Sequence, residues 1–373
     1  MKIALIRQKY TQFGGAERYV NELAGRLTVL GHQVHVLARE WESHDQIDVV
    51  FHRIHCGGPT FIRLPAFARG VAEIVAKEKF DLVHSFDRTY SQDIFRAGDG
   101  CHVEYLSRRA RVEGRWRGWL DRINPRHRAF LRLEARLFAD PRLKLVLVNS
   151  RQGAEEIIRH YGWSPDKISV LYNGLDKERF HPGLRSQYRD EIRRELSLNE
   201  DAPVALFVGS GYARKGLREL IRSLSHLQLT LLVAGRDRPQ PYAKLASDLK
   251  LTDRVRFLGP RSDTPRLYAA ADVFVLPSWY EPFSNACLEA MASGLPVVTT
   301  KETGAAEVIG EGINGFLVDF PVDSYQLAEM VEKALILDRQ RLLTFNKNIL
   351  APFDWELNLA QTMDAYKHIL ERA

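Results

Sequence analysis

Short apolar runs alternate with longer amphipathic stretches along most of the chain. Runs of that kind, rich in Val, Ile and Leu, mark strands buried on both faces, and the stretches between them carry helical spacing. In the first part strands are expected at Lys2–Arg7, Gln33–Ala38, Val49–Ile54, Asp81–Ser85 and Leu143–Asn149, with helices between them such as Ala66–Lys79. After Ile168-Ser-Val-Leu-Tyr-Asn-Gly-Leu-Asp176 the pattern starts again. Strands are expected at Ala202–Val208, Leu229–Ala234, Val255–Leu258, Val273–Leu276, Pro296–Thr299 and Gly315–Asp319. Alternating strands and helices predict parallel sheets covered on both faces. The chain is therefore expected to form two doubly wound α/β domains, over residues 1–172 and 173–352. An amphipathic helix over 353–373 follows.

One stretch concentrates candidate chemistry: Pro277-Ser-Trp-Tyr-Glu281-Pro-Phe-Ser-Asn-Ala-Cys-Leu-Glu289-Ala-Met-Ala-Ser-Gly294. A buried strand runs into a Pro-aromatic loop that holds Glu281. A short helix follows, with Ser284 as its expected N-cap and Gly294 as its stop. Helix N-terminal N–H groups and their partial positive charge suit a phosphate. Carboxylates are usually solvated surface groups. Glu281, however, follows directly on an apolar strand, at the carboxyl end where open parallel sheets bind ligands.

Composition narrows the class. The chain has 373 residues, 45% hydrophobic and 27% charged, as in a globular protein of two ordinary domains. Cys56, Cys101 and Cys287 are scattered and odd in number, which points to a reducing compartment rather than a disulfide framework. The N-terminus turns polar too quickly for a signal peptide, and no apolar run nears the roughly 20 residues of a membrane span. The net charge of +6 is localised. Ten arginines against Glu113, Asp121 and Glu134 give Ser107–Arg136 a local +7, and the remainder sums to −1. Trp116, Trp119, Ile123, Phe130 and Leu131 are interleaved with those arginines. Nucleic acid is one partner for such a pattern, an anionic membrane surface is another, and a solvated helix pair is a third.

Two glycine turns stand at the ends of first strands. Gly14-Gly15 is not a G-x-G-x-x-G fingerprint, and Gly209-Ser-Gly-Tyr-Ala-Arg214-Lys215-Gly216 is not a Walker loop. Arg binds two phosphate oxygens at once and Lys acts as a point charge. Such fixed cations stabilise a departing diphosphate more as its charge develops. The chain contains no Asp-x-Asp pair of the kind that holds a divalent metal on a diphosphate. Arg261 ends a strand after Phe257-Leu-Gly-Pro260, where a plain surface role is equally open. Asp99 and His102 lie in a glycine-rich turn, and a structural histidine remains the alternative there.

The Glu-x7-Glu spacing inside Glu281-Pro-Phe-Ser-Asn-Ala-Cys-Leu-Glu289-Ala-Met-Ala-Ser-Gly-Leu-Pro resembles the retaining glycosyltransferases of family 4. Gly209–Gly216 looks like that family's Arg-Lys clamp, and Gln12-Phe-Gly-Gly-Ala-Glu-Arg18 resembles its first-domain loop. The resemblance implies the GT-B architecture, two Rossmann-like domains facing across a cleft, with the C-terminal helix crossing back to the first domain. It implies transfer of a hexose from a nucleotide diphosphate sugar, expected to be a UDP-sugar, to a lipid-linked or lipopolysaccharide core saccharide. In that scheme Gly15, Arg214 and Lys215 hold the diphosphate, and Phe283, Ser284 and Asn285 offer backbone contacts to sugar and phosphate. Glu289 takes the ribose hydroxyls and Arg261 the base. Glu281, Asp99 and His102 stand at the reacting sugar, and whether Glu281 ever acts as a nucleophile is left open. No metal or other cofactor is expected. The basic segment 107–136 is then assigned to an anionic membrane rather than to nucleic acid, with the protein on the inner face of the cytoplasmic membrane. A sugar-nucleotide epimerase of similar shape and a non-catalytic basic binding module are the alternatives.

Overall fold

The computed structural model describes residues 1–10, 15–41 and 48–371. The chain divides into two compact units, one of Met1–Gly174 with Trp355–Ala373 and one of Leu175–Asp354.

The first unit is built on a seven-stranded sheet. In spatial order its strands are Val50–Arg53, Gln33–Ala38, Lys2–Ile6, Leu82–Ser85, Ile94–Arg96, Leu145–Val148 and Ile168–Val170. Every pairing is parallel. The order reverses between Lys2–Ile6 and Leu82–Ser85, so the loops after these two strands diverge and leave a crevice at their carboxyl ends. Ile3, Leu5, Val34, Val36 and Leu82 form the apolar layer of one core, with Ala4, Ile6, Leu37 and Val83 facing the other. Helices cover both, as strands of this composition require.

The helix Trp355–Glu371 belongs to this first unit. Tyr366 and Ile369 are buried in its core beside Leu23, Val20 and Leu82. Tyr366 shares a hydrogen bond of 2.7 Å with the Nδ1 of buried His84, and the Tyr19 hydroxyl donates to Asn358 at 2.9 Å. Trp355 stacks on Tyr19 at 5.1 Å between centroids. Position 174 must be glycine for this, since a Cβ there would stand 2.2 Å from the indole.

The second unit carries six parallel strands in the order Val255–Gly259, Thr230–Ala234, Val204–Val208, Val273–Leu276, Val297–Thr300 and Gly315–Val318. Ala205 pairs with Val273 and Leu206 with Phe274, which places the reversal of order between those two strands. Both units are thus Rossmann-like and doubly wound.

Three details differ from the sequence pattern. The helix expected over Ala66–Lys79 begins at Thr60 and runs through Pro65. Phe61 and Ile62 in its first turn are exposed, so no apolar face announced that turn. Ile94–Arg96 and Ile168–Val170 are strands of three residues each, too short for their alternation to be read. The basic segment forms parts of three helices, His102–Glu113, Arg115–Ile123 and Pro125–Phe138. Some of its arginines are buried in ion pairs: Arg108 lies 2.7 Å from Glu104 and 3.3 Å from Glu156. Among the described residues no helix is long and apolar enough to cross a membrane.

Candidate active site

The switch point of the second unit gathers the charged groups. The strand Val204–Val208 ends in the turn Gly209–Gly216, and Val273–Leu276 ends in the loop that leads to Glu281. Gly216 has φ +74°, and a Cβ on it would stand 2.0 Å from the Pro277 carbonyl oxygen. Only glycine lets the two turns approach so closely. The Trp279 indole then donates to the Ala213 carbonyl at 2.9 Å, and the Trp279 N–H to the Arg214 carbonyl at 3.1 Å. These bonds fix the two turns to each other before any charge is counted.

On that frame Lys215 Nζ donates to Glu281 Oε2 at 2.7 Å, and Arg214 donates to the same oxygen at 2.8 Å. Arg214 also donates to the Tyr280 carbonyl at 2.7 Å. The Lys215 stem lies across Gly209, where a Cβ would come within 2.7 Å of its Cδ. Burial alone would raise the Glu281 carboxyl, but Lys215 and Arg214 override it and hold it below its ordinary value. Glu281 therefore stays ionised. Its backbone carbonyl accepts from Gly304 at 2.9 Å, which ties the loop to the turn after Val297–Thr300.

The helix Asn285–Ala292 starts directly beyond. The Ser284 hydroxyl accepts from the Cys287 N–H at 3.3 Å, so Ser284 is the N-cap. Phe283 is buried and stacks on Phe353 at 5.7 Å, anchoring the chain just before the cap. Glu289 lies within the helix and accepts a hydrogen bond of 2.9 Å from the Tyr268 hydroxyl. Tyr268 comes from the helix Thr264–Ala270 and was not signalled by the sequence pattern. The Arg261 guanidinium is bound by both oxygens of Asp263, at 2.7 and 2.6 Å, and lies 3.4 Å from Glu195. Its side chain is thus engaged by neighbouring carboxylates.

The candidates of the first unit fall into two groups. Gly14 lies outside the described residues, and Gly15 is the first residue of the helix Gly15–Val29. Asp99 is exposed and accepts from Arg7 at 3.2 Å. His102 opens the helix His102–Glu113, and its backbone N–H donates to both oxygens of buried Glu134, at 2.8 and 3.0 Å. Glu134 also takes Arg88 at 2.7 Å and the Tyr161 hydroxyl at 2.7 Å. The His102 ring stacks on Phe130 and Tyr105, and its Nε2 lies 3.0 Å from His127 Nδ1. Glu134 and His127 are residues that sequence reasoning did not single out. Both sit far along the chain, in the helix Pro125–Phe138, and no local motif links them to His102.

Two doubly wound parallel units, with a carboxylate and two cations at a switch point and a capped helix beside them, are the arrangement to set beside known enzymes. The chain belongs to the family 4 glycosyltransferases: residues 13–179 match the model of Glycosyltransferase Family 4, and residues 188–348 match that of Glycosyl transferases group 1. Among similar proteins, the lipopolysaccharide glucosyltransferase WaaG of Escherichia coli (strain K12) is 28% identical over 349 residues, 90% of either chain. A D-inositol 3-phosphate glycosyltransferase of Salinispora arenicola is 31% identical over 345 residues, 82% of this chain and 76% of that one. The crystal structure of WaaG superposes with a TM-score of 0.83 at 26% identity, covering 98% of this chain and 99% of the other. HepE of Anabaena, solved in complex with UDP and glucose, shares the fold with a TM-score of 0.76 at 24% identity, over 99% and 100%. The protein is a glycosyltransferase with the GT-B fold.

Proposed function

We propose that the enzyme moves a hexose from a UDP-sugar, with retention, to a lipid-linked or lipopolysaccharide core saccharide. The observation that carries this is the meeting of Arg214, Lys215 and Glu281 on one oxygen at the switch point of the second unit. Two fixed cations suit a diphosphate whose charge grows as the glycosidic bond breaks. In this proposal Arg214, Lys215 and Gly15 hold the diphosphate. Glu281 turns toward the transferred sugar once phosphate oxygens take its place on the cations. The backbone at Phe283, Ser284 and Asn285 serves the sugar and phosphate, Glu289 the ribose, and the Arg261 backbone the base. Asp99 and His102 serve the donor sugar or the acceptor. No metal is needed, because guanidinium, ammonium and the capped helix supply the positive charge.

The saccharide acceptor is supported by the activity for which WaaG is named, and the uridine donor by the UDP and glucose bound to HepE. The proposed site of action is the inner face of the cytoplasmic membrane. Trp116, Trp119, Leu120 and Ile123 are exposed on the helix Arg115–Ile123, whose sequence interleaves them with Arg115, Arg117 and Arg122. Such a helix can seat its indoles among headgroups and its guanidiniums on anionic lipid.

The test is thermal melting against a panel of nucleotide sugars, followed by transfer assays with the one that stabilises most. A ligand at 100 times its Kd stabilises by about 2.7 kcal/mol. UDP-glucose or another UDP-hexose should give the largest rise in Tm. Stabilisation by GDP- or ADP-sugars alone would remove the uridine assignment, and donor epimerisation without any acceptor would favour the epimerase alternative.

A further inference from the structure

Behind His102 runs a buried chain of titratable groups. His102 Nε2 lies 3.0 Å from His127 Nδ1, and His127 Nε2 lies 3.4 Å from Asp121 Oδ1. His127 and Asp121 are 6% and 3% exposed, so bulk water does not compete for these contacts. Arg109 and Arg117 face Asp121 at 3.5 and 3.7 Å. Burial, with Arg88 and Arg126 nearby, pushes the His102 imidazolium down to about 3, and burial lowers His127 as well. Both rings are therefore neutral, each with one N–H and one lone pair.

The proton positions in such a chain are not independent. The Asp121 oxygen that faces His127 already faces Arg109 and Arg117 and acts as an acceptor, so the His127 proton sits on Nε2, facing Asp121. Its Nδ1 is then a lone pair, and His102 must donate from Nε2. That leaves the lone pair of His102 on Nδ1. We infer that His127 and Asp121 are positioning residues that lock His102 in its Nε2–H tautomer, so that His102 Nδ1 accepts a hydrogen bond from a hydroxyl of the sugar substrate. Glu134 completes the arrangement by accepting the His102 backbone N–H. The ring can then neither rotate nor change tautomer without breaking a buried contact. The inference rests on the proposal that His102 serves a sugar. Asp121 is carried by the same helix as Trp116 and Trp119, so the lock reaches from that exposed helix to His102.

The tautomer is readable by long-range 1H–15N correlation on the full chain with 15N-histidine, the His102 signals being assigned from a His102→Phe sample. In the wild type Nε2 should appear protonated and Nδ1 as a bare lone pair. In Asp121→Asn the amide can donate to His127 Nε2, which reverses each bond and should interchange the two His102 signals. The same variant should lose at least about tenfold in kcat, the scale of a misplaced proton partner. Donor KM should stay within about threefold and Tm within a few degrees. His127→Gln keeps an acceptor oxygen toward His102 and should retain the wild-type tautomer and most activity. A wild-type His102 protonated on Nδ1 overturns the inference without any variant. Full transfer by His102→Phe would instead overturn the role of His102 at the sugar, and the spectra would still decide the wiring.

Discussion

Lys215 Nζ and Glu281 Oε2 stand 2.7 Å apart, and the same oxygen takes Arg214 at 2.8 Å. A carboxylate in this position competes with any phosphate for the two cations. Replacing Glu281 by Gln removes that competitor without changing shape. UDP should bind Glu281→Gln as tightly as the wild type or up to about tenfold more tightly, since a surrendered ion pair no longer opposes binding. Transfer should fall by about 100-fold or more, the scale of losing a charge placed at a reacting centre. Calorimetry of UDP binding beside a transfer assay separates the two effects. Weakened UDP binding together with full turnover would contradict the steering role of Glu281.

Lys215→Ala should act in the opposite direction. It leaves Glu281 paired with Arg214 alone and removes one of the two proposed phosphate partners. UDP affinity should drop by about 10- to 100-fold, the range of one buried charge-assisted contact. UMP and uridine, which lack the second phosphate or both, should lose less. Equal losses for UDP and uridine would place Lys215 away from the diphosphate.

Acid should destabilise the second unit through this cluster. Glu281 is held below its ordinary value of about 4.5 in the folded state. As pH falls, the unfolded chain takes up its proton first. The stability that the pairing contributes is thus present above about pH 4.5 and is lost as pH falls from there through the lower folded value. Asp272, surrounded by Arg185, Arg189 and Arg193, is held below its ordinary value despite its burial and adds a second, lower limb. Melting curves between pH 3 and 7 should therefore fall less steeply on the acid side for Glu281→Gln than for the wild type.

Much of this was legible in the sequence, for physical reasons. Val273–Leu276 is a short apolar run closed by Pro277, the mark of a buried strand, and a polar residue just past its carboxyl end falls at the ligand-binding edge of a parallel sheet. Ser284 follows from cap chemistry alone and is the observed N-cap. What the sequence hid was pairing between distant segments. Glu281 and Lys215 are 66 positions apart, and no local rule brings Tyr268 to Glu289 or Glu134 to His102. Likewise, the excess of arginine over 107–136, assigned to an anionic membrane surface, gave no sign of which arginines would be buried. The fold buries Arg108 against Glu104 and Glu156, both outside that segment, and leaves Trp116 at 78% exposure.

The exposed helix makes a separable prediction. Trp116 and Trp119 meet edge to face at 5.7 Å and are exposed, so the double change to Ala should cost little stability. Vesicles of phosphatidylglycerol should bind the wild type at low salt and release it as salt screens the arginines. The double variant should lose most of that binding while keeping its response to UDP. Neutral vesicles that bind equally well would argue against the anionic surface.

The close approach of the two turns offers the sharpest structural test. Gly216 sits at φ +74°, and a Cβ there would meet the Pro277 carbonyl oxygen at 2.0 Å. That oxygen is backbone and cannot rotate aside. Left-handed φ costs an alanine about 1 kcal/mol, and relieving the overlap by separating the turns should bring the total to about 2–4 kcal/mol. Separation would also stretch the bonds from Trp279 to Ala213 and Arg214, so the cations would shift relative to Glu281. Gly216→Ala should therefore lower Tm by several degrees and weaken UDP binding more than a stability loss alone predicts. Gly312→Ala is the control. Gly312 has φ +71° with nothing within 4 Å of a Cβ, so it should show the conformational cost without the loss of UDP. If both variants bind UDP like the wild type, the contact between the two turns does not set the position of Arg214 and Lys215.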